Sequence, residues 1–327
     1  MENQTKLRLF YLYQLLIRNS DAEHPISTTA LIKYMKEEHG IDVNRTTIAD
    51  DFLIMDKAGI HCEVIKSRQN LYYYDDRLFD VAELKTLIDA VASSRFITEK
   101  RSKGLIRKLT KLTSEYNAQA LKRHVSVEGR VKSENKNTFI IIDSINEAID
   151  RGFKIRFQYT DYSVHKRKVL KDGGIYYTVS PYDLIWNGDF YYMTGYCDNR
   201  EHTRTYRIDR IYREVEKLED VPAVSKPKDY DAAAYSREVF RMFDSDDAVP
   251  VDLSCDASLM KYVIDQFGTG VNTEAVDEEH FIAHVTVCPS PTFYRWVFGW
   301  GGKMKIIGPE HIKTEYKKLL QEALKNA

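Results

Sequence analysis

Near residue 138 the hydrophobic pattern changes its period, and one core cannot serve both halves. Before that point apolar residues recur at helical spacing; after it, stretches such as 154–160 alternate apolar and polar side chains. Helix-period and strand-period sequences do not substitute for one another, so the chain is read as a multidomain α+β protein. At 327 residues it is also too long for a single ordinary core. The breaks in pattern divide it into residues 1–78, 79–137, 138–221 and 222–327.

Residues 6–18 are apolar on nearly every side. Leu7, Tyr11 and Leu15 fall on one stripe and Leu9, Leu12 and Leu16 on another, as in a helix buried on more than one face. Ser27, Thr28 and Thr29 signal a second helix, with Ala30, Leu31, Tyr34 and Met35 as its apolar face and Gly40 as its stop. Asn44 is the N-cap of a third, which carries Ile48, Phe52 and Met55 as far as Gly59. Strand-like 61–66 and 71–74 then flank a polar turn. This is the element order of a winged helix-turn-helix. A recognition helix meets base edges with its first turns, which places Asn44, Arg45, Thr46, Thr47 and Asp50 at DNA, with Lys66, Arg68 and Gln69 at the wing tip.

Charge is unevenly spread along a chain of net charge −1: residues 1–80 carry −3, 81–136 carry +7, 137–228 carry +1 and 229–327 carry −6. The helical segment 80–123, not the winged helix, is therefore the basic one. Residues 125–137 are polar and read as a linker. The acidic winged helix, with Asp50 on its recognition helix, keeps a second reading open: a nucleic-acid-binding accessory protein, of a phage-defence or DNA-damage system, without operator recognition.

Past residue 138 a short helix leads into strand signals at 154–160, 175–186, 189–197 and 204–211, separated by Asp172-Gly173-Gly174, Asn187-Gly188 and Asp198-Asn199. Tight turns between short strands predict a small antiparallel barrel or curled sheet. Its tyrosines, and arginines spaced by three at Arg204, Arg207 and Arg210, suit a phosphate-bearing ligand. A tyrosine-rich core with exposed arginines explains the same composition. The last eighty residues alternate strand and helix, as in a small α/β unit, after a proline-containing connection with a helical stretch at 230–240.

Chemistry that needs a motif finds none. No phosphate-binding glycine loop or nucleophile elbow occurs, and the paired carboxylates Asp50-Asp51 and Asp246-Asp247 read as helix-start or solvated-loop residues. His280 and His284 lie four apart in strand-like sequence, about 13 Å along one face, too far to share a metal ion. Cys62, Cys197, Cys255 and Cys288 form no CxxC pair. No enzyme activity, metal or cofactor is expected, and neither a membrane span nor a signal peptide is visible. A cytoplasmic protein is the expectation.

Four segments of the middle region resemble the signature of the WYL family: Ser180-Pro181-Tyr182-Asp183-Leu184, Asn187-Gly188-Asp189, Tyr191-Tyr192-Met193-Thr194-Gly195-Tyr196 and Tyr206-Arg207-Ile208-Asp209-Arg210-Ile211. The tripeptide that names the family is Tyr191-Tyr192-Met193 here. The N-terminal segment looks like the DeoR-type winged helix usual in that family, whose recognition helix reads Arg-Thr-Ile-x-Arg-Asp; Thr46-Thr47-Ile48-Ala49-Asp50-Asp51 keeps the frame without the arginines. Trp296, Phe298-Gly299 and Ile307-Gly308-Pro309 are similar to the WYL C-terminal extension. The resemblance implies an Sm-like, SH3-type barrel over 138–221. It also implies a homodimeric transcription regulator that binds a double-stranded operator and senses a nucleotide or single-stranded nucleic acid. Its ligand face would comprise Tyr159, Ser180, Tyr182, Tyr192, Arg204, Arg207 and Arg210.

Overall fold

The structure, a computed structural model, describes residues 2–123, 131–228, 230–231 and 248–326. It forms two compact units, Met1–Ser133 and Glu134–Ala327.

In the first unit, α1 (Glu2–Asn19), β1 (Ile26–Ser27), α2 (Thr28–His39) and α3 (Arg45–Lys57) precede a hairpin of β2 (Cys62–Ile65) and β3 (Leu71–Tyr74). Local chemistry sets the helix ends. Ser27 caps α2 by accepting from the Ala30 N–H, and Gly40 closes it at φ 65°, a left-handed conformation open to glycine without steric strain. The hairpin widens into a three-stranded sheet, β1–β3–β2, since Ile26 and Ser27 pair with Tyr72 and Leu71. Two residues are too few to show a period, so β1 had no sequence signal. Leu12, Leu16, Leu31, Met35 and Ile48 are fully buried in the core, where Phe52 and Tyr72 stack with centroids 3.9 Å apart. The Leu9/Leu12/Leu16 stripe of α1 faces this core, while Leu7 and Phe10 are exposed.

The basic segment folds as α4 (Val81–Ser93), α5 (Glu99–Leu109) and α6 (Glu115–Arg123). Asp80 and Glu83 make a reciprocal capping box at the start of α4. Asp21, in the turn after α1, accepts from the Ser114 hydroxyl at 2.5 Å and the His24 N–H at 2.9 Å. Burial alone would raise its pKa, but the Ser114 and His24 hydrogen bonds outweigh it and hold the carboxyl below its ordinary value. A carboxylate so depressed adds stability above its unfolded pKa of about 3.9 and loses it as pH falls through the folded value. Asp21→Asn is therefore expected to lower the urea midpoint near neutrality, with the gap to the parent narrowing as pH falls below about 3.9. An equal gap at every pH would count against this origin. Of the expected linker, residues 124–130 lie outside the described residues. Lys132 is anchored, donating to the Ser94 carbonyl at 2.6 Å.

The second unit opens with α7 (Thr138–Arg151), followed by β4 (Phe153–Gln158), β5 (Thr160–Tyr162), β6 (Lys168–Leu170), β7 (Tyr176–Asn187), β8 (Phe190–Cys197), β9 (His202–Arg207) and β10 (Glu216–Pro222). Five strands make an antiparallel sheet in the order β10–β4–β7–β8–β9, and β5–β6 is a separate hairpin. Ile141, Ile145 and Ala148 of α7 pack on Phe153, Ile155, Phe157 and Val179. The expected closed barrel is not formed among the described residues. The chain leaves the strand at Ile208–Arg210, a 3₁₀ turn, so β9 ends without pairing with β10, and only an isolated bridge joins Tyr159 to Ile211. The expected strand over 204–211 is thus half strand and half turn. β10 went unforeseen because its sequence, EKLEDVP, is largely charged and its side chains are mostly exposed, as on a sheet edge.

The remainder forms β11 (Val249–Asp256), α8 (Met260–Phe267), β12 (Asn272–Ala275), β13 (His280–Val287), α9 (Pro291–Phe298), β14 (Met304–Gly308) and α10 (Glu310–Lys325). Its sheet runs β12–β13–β11–β14. The helical stretch expected at 230–240 lies outside the described residues except for 230 and 231, as does Asp246-Asp247. Cys197, Cys255 and Cys288 are buried; Cys62 is partly so, and burial followed by Asp56 pushes its thiol up to about 11. No described helix is long and apolar enough to cross a membrane.

Candidate nucleic-acid and effector sites

At the N-terminus of α3, Asn44 accepts from the Thr47 N–H at 2.8 Å and from its hydroxyl at 3.0 Å. Both side chains are engaged in the cap. Arg45, Thr46, Ala49 and Asp50 are exposed, and so are Leu53 and Ile54 further along. Asp51 differs from the helix-start carboxylate expected of it: it is 1% exposed, gripped by the Arg8 guanidinium at 2.5 and 2.7 Å. Helical geometry explains the contrast, since Asp51 follows Ile48 on the inward face while Asp50 points outward. Lys66, Arg68 and Gln69 stand exposed at the hairpin tip, Gln69 accepting from the Thr29 hydroxyl at 3.3 Å.

The middle sheet has two differently occupied faces. On the face away from α7, Ser180 and Tyr182 of β7 and Thr194 of β8 meet the chain that follows β10. Ser180 Oγ accepts from the Val224 N–H at 2.9 Å, and the Tyr182 hydroxyl donates to the Ser225 carbonyl at 3.2 Å. The Thr194 and Tyr230 hydroxyls lie 2.6 Å apart, and Lys226 pairs with Asp183 at 2.8 Å. Residues 223–228 with Tyr230 thus strap this face. Gly195 lets β8 lie close to β7 here: a Cβ would stand 2.5 Å from the Ser180 carbonyl oxygen.

On the core side, Tyr159, Tyr177 and Tyr206 surround the buried Phe157, with Tyr159–Tyr206 and Tyr177–Tyr206 centroids 5.6 and 5.7 Å apart. They floor a pocket of about 70 Å³ rimmed by Lys171, Asp172, Arg200 and Arg204. Tyr177 donates to Asp172 at 2.6 Å, and Arg200 pairs with the same carboxylate at 2.7 Å. Burial, then Asp172, pushes the Tyr177 hydroxyl up to about 12, and burial raises Tyr159 and Tyr206 further. All three phenols stay protonated near neutrality.

Residues 141–216 match the WYL domain family, and 247–324 the WCX domain family. The chain thus carries a WYL domain. Proteasome accessory factor B/C (PafBC) of Arthrobacter aurescens is 16% identical over 98% of this chain and 46% of its own, with a TM-score of 0.28. The chain therefore spans about half the length of that protein. A CRISPR Cas-related protein of known structure is 13% identical over 99% of this chain and 84% of its own, with a TM-score of 0.38. No curated protein matches.

The residues expected at the ligand face of the WYL domain are dispersed. Ser180 and Tyr182 lie under the strap. Tyr192, 6% exposed, pairs across the strands with Arg207. Arg207 forks onto Asp209 at 2.8 and 3.1 Å and stacks on Phe190. Arg210 sits in the 3₁₀ turn, its carbonyl accepting from Thr160 at 2.8 Å. Only Tyr159 and Arg204 share a pocket. Its other charged members, Lys171, Asp172 and Arg200, come from turns, where no periodicity marks them. Tyr206 lay within the family signature, but nothing in the sequence separates a pocket-lining tyrosine from a core one. His280 and His284 are engaged with Asp277 and Asp252 at 3.0 and 2.7 Å, and no group of three or more potential ligands is placed to hold a metal among the described residues.

Proposed function

We propose that this chain is a ligand-responsive, DNA-binding transcription regulator, cytoplasmic, homodimeric and without catalytic activity. Residues 2–74 serve as its winged helix-turn-helix and the WYL domain as the sensor of a nucleotide or single-stranded nucleic acid. The observation that carries the reading is the WYL match at 141–216 in a chain whose first three helices lead into a hairpin tipped by Lys66 and Arg68. A dimer presenting Arg45, Lys66 and Arg68 twice would release counterions from about six phosphates, a slope of log K against log salt near about −5. Fluorescence anisotropy with duplex from upstream of its own gene tests this. Arg68→Ala is expected to make the slope shallower by about 2. Failure to bind any duplex even at low salt would end the proposal. The exposed Ala49, Asp50, Leu53 and Ile54 on α3 favour one alternative, an accessory protein that binds nucleic acid without reading an operator. Single-strand binding with no sequence-dependent duplex binding would select it.

A further inference from the structure

Gly104 stands at the centre of α5, with five helical residues on either side of it. A glycine inside a helix costs stability relative to alanine, and nothing within the chain calls for one here. A Cβ at this position would meet no atom of the described residues within 4 Å, and the backbone is not left-handed. The helix commits its other side to the core, burying Ser102 and packing Ile106 with Leu84, Ile88 and Leu121. Lys100, Gly104 and Arg107 follow one another at four and three residues, within about 60° of each other on the outward face. Lys108 flanks that face, and Lys111 continues it in the 3₁₀ turn Thr110–Leu112. These four cations are exposed, and none is in an ion pair among the described residues. The two carboxylates between 99 and 123 are Glu99, taken by Lys103 at 2.8 Å, and Glu115. α5 thus presents bare backbone between unneutralised positive charges.

The gap narrows the class of partner. With its apolar side in the core, the helix has nothing to sink into a membrane surface. A carboxylate of an acidic protein sits on its own flexible stem and reaches a lysine without a close approach to the helix backbone. A phosphodiester strand carries its charges on the backbone itself. That backbone must lie against the helix for Lys100 and Arg107 both to touch phosphates, and Gly104 leaves room for it between them. We propose that the Lys100–Gly104–Arg107 face is a second phosphate-backbone contact, which seats a strand of duplex DNA against α5. This rests on the DNA-binding reading given above and adds a surface that positions the duplex without reading its bases. The basic helices are held firmly to the winged helix, within one compact unit. Ser114, just before α6, donates to Asp21, and Tyr116 stacks on His24 with centroids 3.8 Å apart.

Fluorescence anisotropy on the full-length chain, with the upstream duplex over a range of salt, tests this. Lys100→Gln with Arg107→Gln removes about four phosphate contacts from a dimer and should make the slope of log K against log salt shallower by about 3–4. Lys317→Gln with Lys318→Gln, an equal change of charge at exposed positions of α10, should leave the slope as it is. Gly104→Leu fills the gap with a good helix former, so its melting midpoint should rise. Its duplex should nonetheless bind about tenfold more weakly or worse, the loss of a hydrogen bond to a charged group. Weaker binding by a protein that melts higher is not unfolding. A slope unchanged in the Lys100/Arg107 variant, or altered as much in the Lys317/Lys318 variant, overturns the contact. So does parent-like binding by Gly104→Leu. If the α5 variants lose affinity for a single strand of the same sequence and not for the duplex, the assignment to a duplex is overturned in favour of a single strand. If the parent binds no duplex even at low salt, the regulator reading fails and this surface falls with it. Duplex binding that ignores every change to α5 sinks this surface alone.

Discussion

Replacing Asp51 with alanine is expected to destabilise the N-terminal unit by about 3–5 kcal/mol, the range for breaking a buried ion pair by removing one partner. The pair is a two-point fork between residues 43 apart in sequence, joining α1 to α3. Arg8 retains only 13% of its side-chain exposure, so without Asp51 its guanidinium stays largely out of water with no counter-charge. The Asp51 hydrogen bond is the largest influence on Arg8 and raises its pKa against the opposing pull of burial. The check is guanidinium denaturation of Asp51→Ala, Arg8→Met and the double variant. Each single change should lower the midpoint strongly, and the double should recover part of the loss, because removing both charges also removes the unpaired one. A loss under about 1 kcal/mol for Asp51→Ala would show that the pair is solvated. Since α3 carries Arg45 and Asp50, loosening its tie to α1 should weaken duplex binding as well.

Phe157→Ala is expected to cost about 3–5 kcal/mol in the second unit, the range for deleting a buried aromatic side chain. Phe157 is fully buried and touches Tyr159, Tyr177 and Tyr206 at centroid distances of 6.5, 6.0 and 5.1 Å. It fixes the floor on which those hydroxyls are displayed. The void left behind should let the tyrosines shift. Phe157→Leu, which fills more of the space, should recover most of the midpoint. If the alanine variant melts like the parent, the tyrosines do not depend on that packing.

The elements with a period or a cap were legible from sequence. Asn44 and Gly40 marked the ends they form, and the alternation of Ile155, Phe157 and Tyr159 marked an inward face. Partnerships were not. Asp51 looked like its neighbour Asp50, and only the helical phase relative to Arg8, supplied by a different helix, separates buried from exposed. Arg204 and Arg207 looked equivalent, yet they are an odd number of residues apart on one strand, so alternation sends them to opposite faces. β10 was hidden by its charge. The pocket rim was hidden because Lys171, Asp172 and Arg200 come from turns that approach each other only in the folded sheet.

The strap over Ser180 and Tyr182 has a thermodynamic corollary. Whatever would use those two groups competes with an intramolecular occupant whose local concentration never falls. Three hydrogen bonds and an exposed ion pair hold a segment by about 2–4 kcal/mol on ordinary net values, which leaves the face uncovered in about 3% to 0.1% of molecules. A ligand for that face would show an apparent Kd about thirty to a thousand times weaker than its intrinsic one. Weakening the strap, for instance by Lys226→Ala with Tyr230→Phe, would sharpen the binding without altering any group the ligand touches.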